Sequence, residues 1–310
     1  MRELKFDLTV GSNALQCPNP SDFYARAFID SEATADNFRL LPNVKNKDKV
    51  ANLLFQDILQ AFNCSFVGTD SDLTAIDIEV ESLSAMTEIC QADIETSFIA
   101  DRMSPGSNGA EWQVGDFMGY YWEQFGNKIG EEMAITRWQG DKVGATGTFL
   151  DLVDGFEKII SASAGTIQIA LPVAITKTNV IDKMIELYDA LPNTIKHKTA
   201  DVRFYVSSNV ASAYLQAIAE ANTILYFNAS PELQFLGRIK IVIEEGLSDD
   251  TMVLTRKDNL IYAFDLATDA KSLKAVNLSE SVAEPVLRTR VNLKTGYQIA
   301  NDEEIVFYQA

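Results

Sequence analysis

The sequence predicts an α+β fold. Helical and strand periodicities both occur, but in mixed order rather than as repeated βα units. One apolar stripe at helical spacing runs from about Trp112 to Trp138. The C-terminal part strings together short β-rich runs separated by turn residues.

Residues 1–42 read as an arm. Polar and turn residues dominate "GSNALQCPNPSD" and "DSEATADN", and few apolar residues lie between them. Such a segment buries little by itself and is expected to lie on a neighbour. After "LPNVKNKDK", Val50, Leu53, Leu54, Ile58 and Phe62 fall at helical spacing and predict a helix. "FVGTDSDLT" is a turn cluster. "AIDIEVES" alternates, with Ile76, Ile78 and Val80 on one face and Asp77, Glu79 and Glu81 on the other. That pattern is a half-buried strand or one arm of an extended hairpin. "SPGSN", from Ser104 to Asn108, is a loop.

The long helix carries Val114, Phe117, Met118, Tyr121, Trp122, Phe125, Ile129 and Met133 on one stripe. Gly115, Gly119, Gly126 and Gly130 each cost about 1 kcal/mol against alanine there. Four of them predict that another backbone passes close by. Asp116, Glu123, Lys128, Glu131 and Glu132 interrupt the helix and argue against a membrane pairing motif.

"GDKVGATGT" is a loop and "FLDLVDGFEKIIS" a short amphipathic segment. "TIQIALPVAI" reads as a strand. "TKTNVIDKMIELYDALP" reads as a helix capped by Thr178 or Asn179, with Pro192 just past its end. "DVRFYVS" is a strand, and "SSNVASAYLQAIAEAN" a helix capped by Ser207 or Ser208. "GRIKIVIEEG", "TMVLTR", "NLIYAFD", "EPVLRTRVNL" and "EEIVFY" are strands.

Composition limits function. The chain has 310 residues, 47% hydrophobic, enough for a sizeable core in one large domain or two intertwined ones. Its net charge of −18 argues against tight nucleic-acid binding, which needs Lys and Arg to neutralise phosphates. The N-terminal stretch lacks the apolar core of a secretory signal, and no apolar run reaches the ~18 residues of a membrane helix. Cys17, Cys64 and Cys90 show no paired spacing and are expected to be reduced thiols.

No catalytic constellation emerges. His197, the only histidine, lies in "IKHKT" between lysines, with Asp201 four positions on as the one nearby carboxylate. It reads as a solvated loop residue, and a single histidine cannot build a His metal cluster. Glu244/Glu245, Asp249/Asp250 and Glu303/Glu304 are adjacent carboxylates, which point apart on a strand. "GATG" and "GSNG" lack the context of a phosphate loop, and "VSSNV" is not a nucleophile elbow. No catalytic, cofactor-binding or metal-binding residue is expected, and no cofactor.

The ordered series of segments does resemble a known family. "LPNVKNKDKV", "FNCSF", "EICQADIETSFIADRMSPGSN", "EEMAITRWQGD" and "FLDLVDGFEKII" open it. "ITKTNVIDKMIELYDALP", "KTADVRFYVSSNVASAYLQAI", "LQFLGRIKIVIEEGLSDDTMVLTRKDNLIYAFDL" and "VLRTRVNLKTGYQIANDEEIVFY" continue it. The series is similar to the major capsid proteins of tailed bacteriophages, the Hong Kong 97-like fold, from about residue 41 to the end. The resemblance implies an N-arm over 1–42 and a region containing the E-loop hairpin over 43–92. It implies a P-domain with a long spine helix over 93–142 and 267–292, and an A-domain with a central sheet over 143–266 and 293–310.

The function so implied is structural: many copies assembling into an icosahedral shell around the double-stranded DNA of a tailed phage. The implied location is the virion capsid, made and assembled in the host bacterial cytoplasm. The partners expected are the chain itself in pentamers and hexamers, a separate scaffolding protein, a portal, decoration proteins and DNA contacted non-specifically, but no membrane. Met1 close to the arm favours a separate scaffold over a removed prosequence. A lysine–asparagine cross-link occurs in some members, but Lys45, Lys47 and Lys49 match no cross-linking position, and none is expected. An acidic lumen would hold DNA without gripping it. An encapsulin-like nanocompartment shell is the alternative, and an unrecognised soluble enzyme the weaker one.

Overall fold

The computed structural model describes residues 14–15, 36–55, 71–90, 114–197, 201–221, 233–265, 274–278 and 286–310. In chain order, β1 (Ala14–Leu15), β2 (Arg39–Pro42), β3 (Lys47–Phe55), β4 (Ser71–Glu79) and β5 (Glu81–Cys90) come first. The long helix α1 (Val114–Gln139) is followed by a 3-10 turn (Phe149–Leu152), α2 (Phe156–Ala162) and β6 (Ile167–Gln168). Helices α3 (Val180–Ala190) and α4 (Asn193–Lys196) lead into β7 (Val202–Val206), α5 (Ser208–Ala221), β8 (Gln234–Phe235) and β9 (Ile239–Ile243). The chain closes with β10 (Thr251–Arg256), β11 (Leu260–Phe264), β12 (Lys274–Asn277), β13 (Val286–Ile299) and β14 (Val306–Gln309).

The chain divides into two compact units. One takes residues 1–34, 82–133 and 265–294; the other takes 35–81, 134–264 and 295–310. Both α1 and β13 begin in the first and end in the second.

In the first unit β12 pairs antiparallel with both β13 and β1, and β5 also pairs with β13. Along β13, Thr289, Val291 and Leu293 are buried while Arg288, Arg290 and Asn292 are exposed, the period of two that a one-sided sheet requires. On α1, Tyr121, Trp122, Ile129 and Met133 are buried and Glu123, Lys128 and Glu131 exposed, so the predicted stripe is the core face. Gly126 and Gly130 are buried with it.

The second unit is built on a six-stranded sheet of order β6-β14-β10-β7-β9-β8. Every residue of β7 is buried, as a central strand covered on both faces must be. Val202, Phe204 and Val206 join a core with Val180, Met184 and Leu187 of α3 and Val210 and Tyr214 of α5. Tyr205, on the opposite face of β7, packs against Phe38 and Trp138, with ring centroids 5.5 and 5.7 Å away.

The hairpin β3–β4 is a separate two-stranded sheet in register from Lys47↔Glu79 to Phe55↔Ser71. Its base docks through Val50, Ile78 and Val80, which pack with Val44, Ile261 and Ala263. Gly296 on β13 makes this seat: a Cβ there would collide with the Glu79 carbonyl.

Two expectations need correction. The helix read from Val50 onward is a strand through Phe55; Ile58 and Phe62 lie outside the described residues. A short apolar run satisfies both periods, and nine register pairs with β4 decide in favour of the strand. "TIQIALPVAI" is a strand only at Ile167–Gln168. Leu171 turns to a φ of +54°, Pro172 has no N–H for a ladder, and Tyr308 Oη holds the Val173 N–H instead at 2.8 Å.

The expected caps are only partly realised. Asn179 precedes α3, but its side chain accepts the Thr176 N–H at 2.7 Å and donates to the Ala174 carbonyl at 3.0 Å, closing the preceding turn. Ser207 precedes α5, and its hydroxyl contacts Asn209 Oδ1 at 2.5 Å while its carbonyl accepts the Ala211 N–H.

Candidate assembly surfaces

The structure disperses the groups that sequence singles out for chemistry. His197 is exposed at the end of α4. Each carboxylate pair splits into one tethered and one exposed member. Glu244 accepts Trp138 Nε1–H at 3.0 Å, Asp250 accepts Asn209 Nδ2–H at 2.7 Å, and Glu304 lies 2.5 Å from Arg256 Nη2. Glu245, Asp249 and Glu303 face solvent. Among the described residues no three His, Cys, Asp or Glu side chains gather to hold a metal, and no helix is long and apolar enough to cross a membrane. Cys90 is a half-buried free thiol, while Cys17 and Cys64 lie outside the described residues.

What the fold concentrates instead is a polar clasp within the second unit. The loop from Glu244 to Asp250 joins β9 to β10, and three helices hold it. Arg137, in the last turn of α1, places Nη1 3.7 Å from Glu244 Oε2, with both side chains nearly out of water. The Arg137 guanidinium also lies 5.1 Å from the Phe38 ring centroid and 5.3 Å from that of Tyr262. Gln139 Nε2 donates to the Gly246 carbonyl at 2.8 Å. A Cβ at Gly246 would strike the Ala134 carbonyl, so the loop backbone lies against α1 at Ala134, a position other than the four helix glycines.

From α2, Glu157 accepts the Ser248 N–H and hydroxyl, both at 2.7 Å, and Gln309 Nε2–H at 3.3 Å. Burial pushes the Glu157 carboxyl above the usual glutamate range, opposed by these donors. From α5, Asn209 holds Asp250, which also accepts the Ile175 N–H at 3.1 Å. No sequence signal marks Arg137, Glu157 and Glu244, because about a hundred residues separate the partners.

The entry of the chain into this unit is pinned as well. The Phe38 ring stacks on Phe156 at 5.8 Å, and Tyr205 Oη donates to the Asn37 carbonyl. Asp36 lies 3.3 Å from Lys240 Nζ and 4.0 Å from Arg203 Nη2. The Lys240 hydrogen bond lowers its carboxyl below the usual aspartate range, against the opposing effect of burial.

The outward surfaces are of two kinds. One face of the hairpin is charged and exposed, with ion pairs Lys47–Glu79 and Lys49–Asp77. Elsewhere single apolar residues stand in solvent, among them Val143, Met86, Leu171, 86% exposed beside β6, and Leu236, 53% exposed between β8 and β9.

No family model matches the sequence, and no curated protein matches it by sequence. The solved structures do match. A capsid chain of an empty GTA particle aligns with a TM-score of 0.55 at 13% identity, covering 89% of each chain. A chain of the satellite phage P4 procapsid with its size determination protein aligns at 0.56 and 12% identity, covering 92% of this chain and 97% of that one. The chain has the Hong Kong 97-like capsid fold. A virus-like particle from Pyrococcus furiosus shares it, at a TM-score of 0.53 and 10% identity over 93% of this chain and 96% of that one. The capsid fold thus spans nearly the whole length of both partners, which accounts for the mixed α+β order read from sequence.

Proposed function

We propose that this chain is a major capsid protein: many copies assemble into the icosahedral shell that encloses the double-stranded DNA genome of a tailed bacteriophage. The observation that carries this reading is the end-to-end match to capsid and procapsid chains. The role is structural and not enzymatic, and the location is the virion capsid, assembled in the host bacterial cytoplasm. The other partners are a separate scaffolding protein, a portal, decoration proteins and DNA held without sequence recognition.

In this reading residues 1–42 are the N-arm and the β3–β4 hairpin belongs to the E-loop region, 43–92. The P-domain is 93–142 and 267–292, with α1 as its spine helix, and the A-domain is 143–266 and 293–310. The hairpin supports it physically. Two paired strands alone are marginal in water and need a third layer. Among the described residues, the base of this hairpin finds one in Ile261 and Ala263. Obligate interfaces of about 2,000 Å² or more would supply the remainder.

Expression of the chain alone and with its neighbouring scaffold gene, followed by negative-stain imaging, tests the proposal. Closed shells support it; a stable 34.3 kDa monomer with no tendency to assemble refutes it. The likeness to a virus-like particle keeps a second reading, an encapsulin-like compartment with protein cargo. Nucleic acid or protein recovered from shells isolated from the native source separates the two.

A further inference from the structure

The described residues include four non-glycine positions with positive φ: Asn43, Leu171, Leu236 and Asp250. Asn and Asp tolerate this region through local hydrogen bonds; leucine does not. Both leucines are strongly exposed, so no core packing explains them. Each is also set against its local sequence preference. Leu171 precedes Pro172, which biases it toward extended backbone. Leu236 has a φ of +53° and Gly237 one of +65°, and Arg238 N–H returns to the Phe235 carbonyl. The turn thus has two successive left-handed positions, the second filled by Gly and the first, where Asn or Gly is favoured, by Leu.

Neither site is a loose loop. Tyr308 Oη accepts the Val173 N–H at 2.8 Å and donates to the Val173 carbonyl at 2.6 Å, and Asp250 holds Ile175. Leu236 sits on a turn clamped by the pairing of Phe235 with Ile239. The two leucines lie beside the two edge strands, β6 and β8, of the same six-stranded sheet.

We propose that Leu171 and Leu236 are the two halves of one head-to-tail contact between successive copies of this chain. The inference rests on the shell reading above and names residues on each side of one of its interfaces. A single exposed apolar residue is ordinary, but one held in a strained backbone is not, and burial of the side chain against a partner offsets that strain. Charge selects the partner. α3, which adjoins the Leu171 loop through Tyr308, exposes Asp182, Glu186 and Asp189 against Lys183 alone. The segment 233–243 around Leu236 carries no acid; of its two cations Lys240 is already paired with Asp36, and Arg238 is exposed beside the leucine. An acidic flank beside one leucine and a basic flank beside the other match when the second copy presents the opposite edge. A heterologous contact of this kind closes into rings.

Disulfide trapping tests the pairing in the full chain, with Cys17, Cys64 and Cys90 replaced by alanine and shell formation checked by imaging. The combined Leu171→Cys and Leu236→Cys variant, oxidised and run on a non-reducing denaturing gel, is expected to give a ladder up to pentamers and hexamers. Each single variant is expected to stay monomeric. Shells without a ladder overturn this inference and leave the shell reading standing. Efficient dimers from either single variant also overturn it, because they mean that like edges meet. Absence of both shells and ladder overturns both.

Discussion

Removing one member of the Arg137–Glu244 pair should be among the costliest single changes in the second unit. At 3.7 Å and an effective dielectric of about 20, the attraction is about 4.5 kcal/mol before desolvation is counted. Side-chain exposures of 5% and 11% mean that neither charge can recover its hydration in place. Glu244→Ala therefore strands a guanidinium among Phe38 and Tyr262 and takes the acceptor from Trp138 Nε1. The expected loss is about 3–5 kcal/mol, the range for an uncompensated buried charge. Arg137→Met combined with Glu244→Leu should cost much less than the sum of the single changes, since no charge is left behind. Urea unfolding of the chain below its assembly concentration, followed by tryptophan fluorescence, measures all three variants. A loss under about 1 kcal/mol for Glu244→Ala, or additive single and double variants, would refute the account of the clasp.

Three further outcomes follow from the same contacts. Phe38→Ala should lose about 3–5 kcal/mol in that assay, because the ring is 3% exposed and packs on Trp138, Phe156 and Tyr205. Gly296→Ala must push the Glu79 carbonyl away and should cost about 1–3 kcal/mol, with loosening read by amide exchange in β4. Glu157 has its folded-state pKa raised by burial, so its contribution is fully present below the ordinary glutamate pKa and is lost as pH rises through the folded value. Glu157→Gln should flatten that fall in urea midpoints measured from about pH 4 to pH 8, and an unchanged slope would reject the assignment.

Sequence periodicity reads best where one interaction dominates. The stripe from Tyr121 to Met133 repeats over several turns, and only a helix accommodates it. The runs at Val202–Val206, Ile239–Ile243 and Thr251–Arg256 are short, apolar and bounded by turns, as buried strands are. Reading fails where a distant partner decides. Lys47–Phe55 becomes a strand because β4 pairs with it along its full length, and nothing inside the segment announces β4. The clasp is illegible for the same reason: Arg137 and Glu244 meet only after α1 and β9 are placed. A left-handed leucine is harder still, because propensity argues against it at Leu171 and Leu236. What sequence conveyed about function was an ordered series of segments, together with the lack of any convergent chemistry.

The polar groups of the clasp act on local structure, through side chains and backbone alike. Glu157 holds Ser248 and Asp250 holds Ile175, while Gln139 beside them holds Gly246. Their effect is to fix the end of α1, the start of α2 and the loop before β10 as one rigid body. Outside that body, among the described residues, stand two leucines strained beside the sheet edges, and a hairpin whose base packs on Ile261 and Ala263. On the shell reading proposed above, strain and apolar surface at the margins of such a chain are offset by contact with further copies, where the edges of the sheet meet in a fixed register.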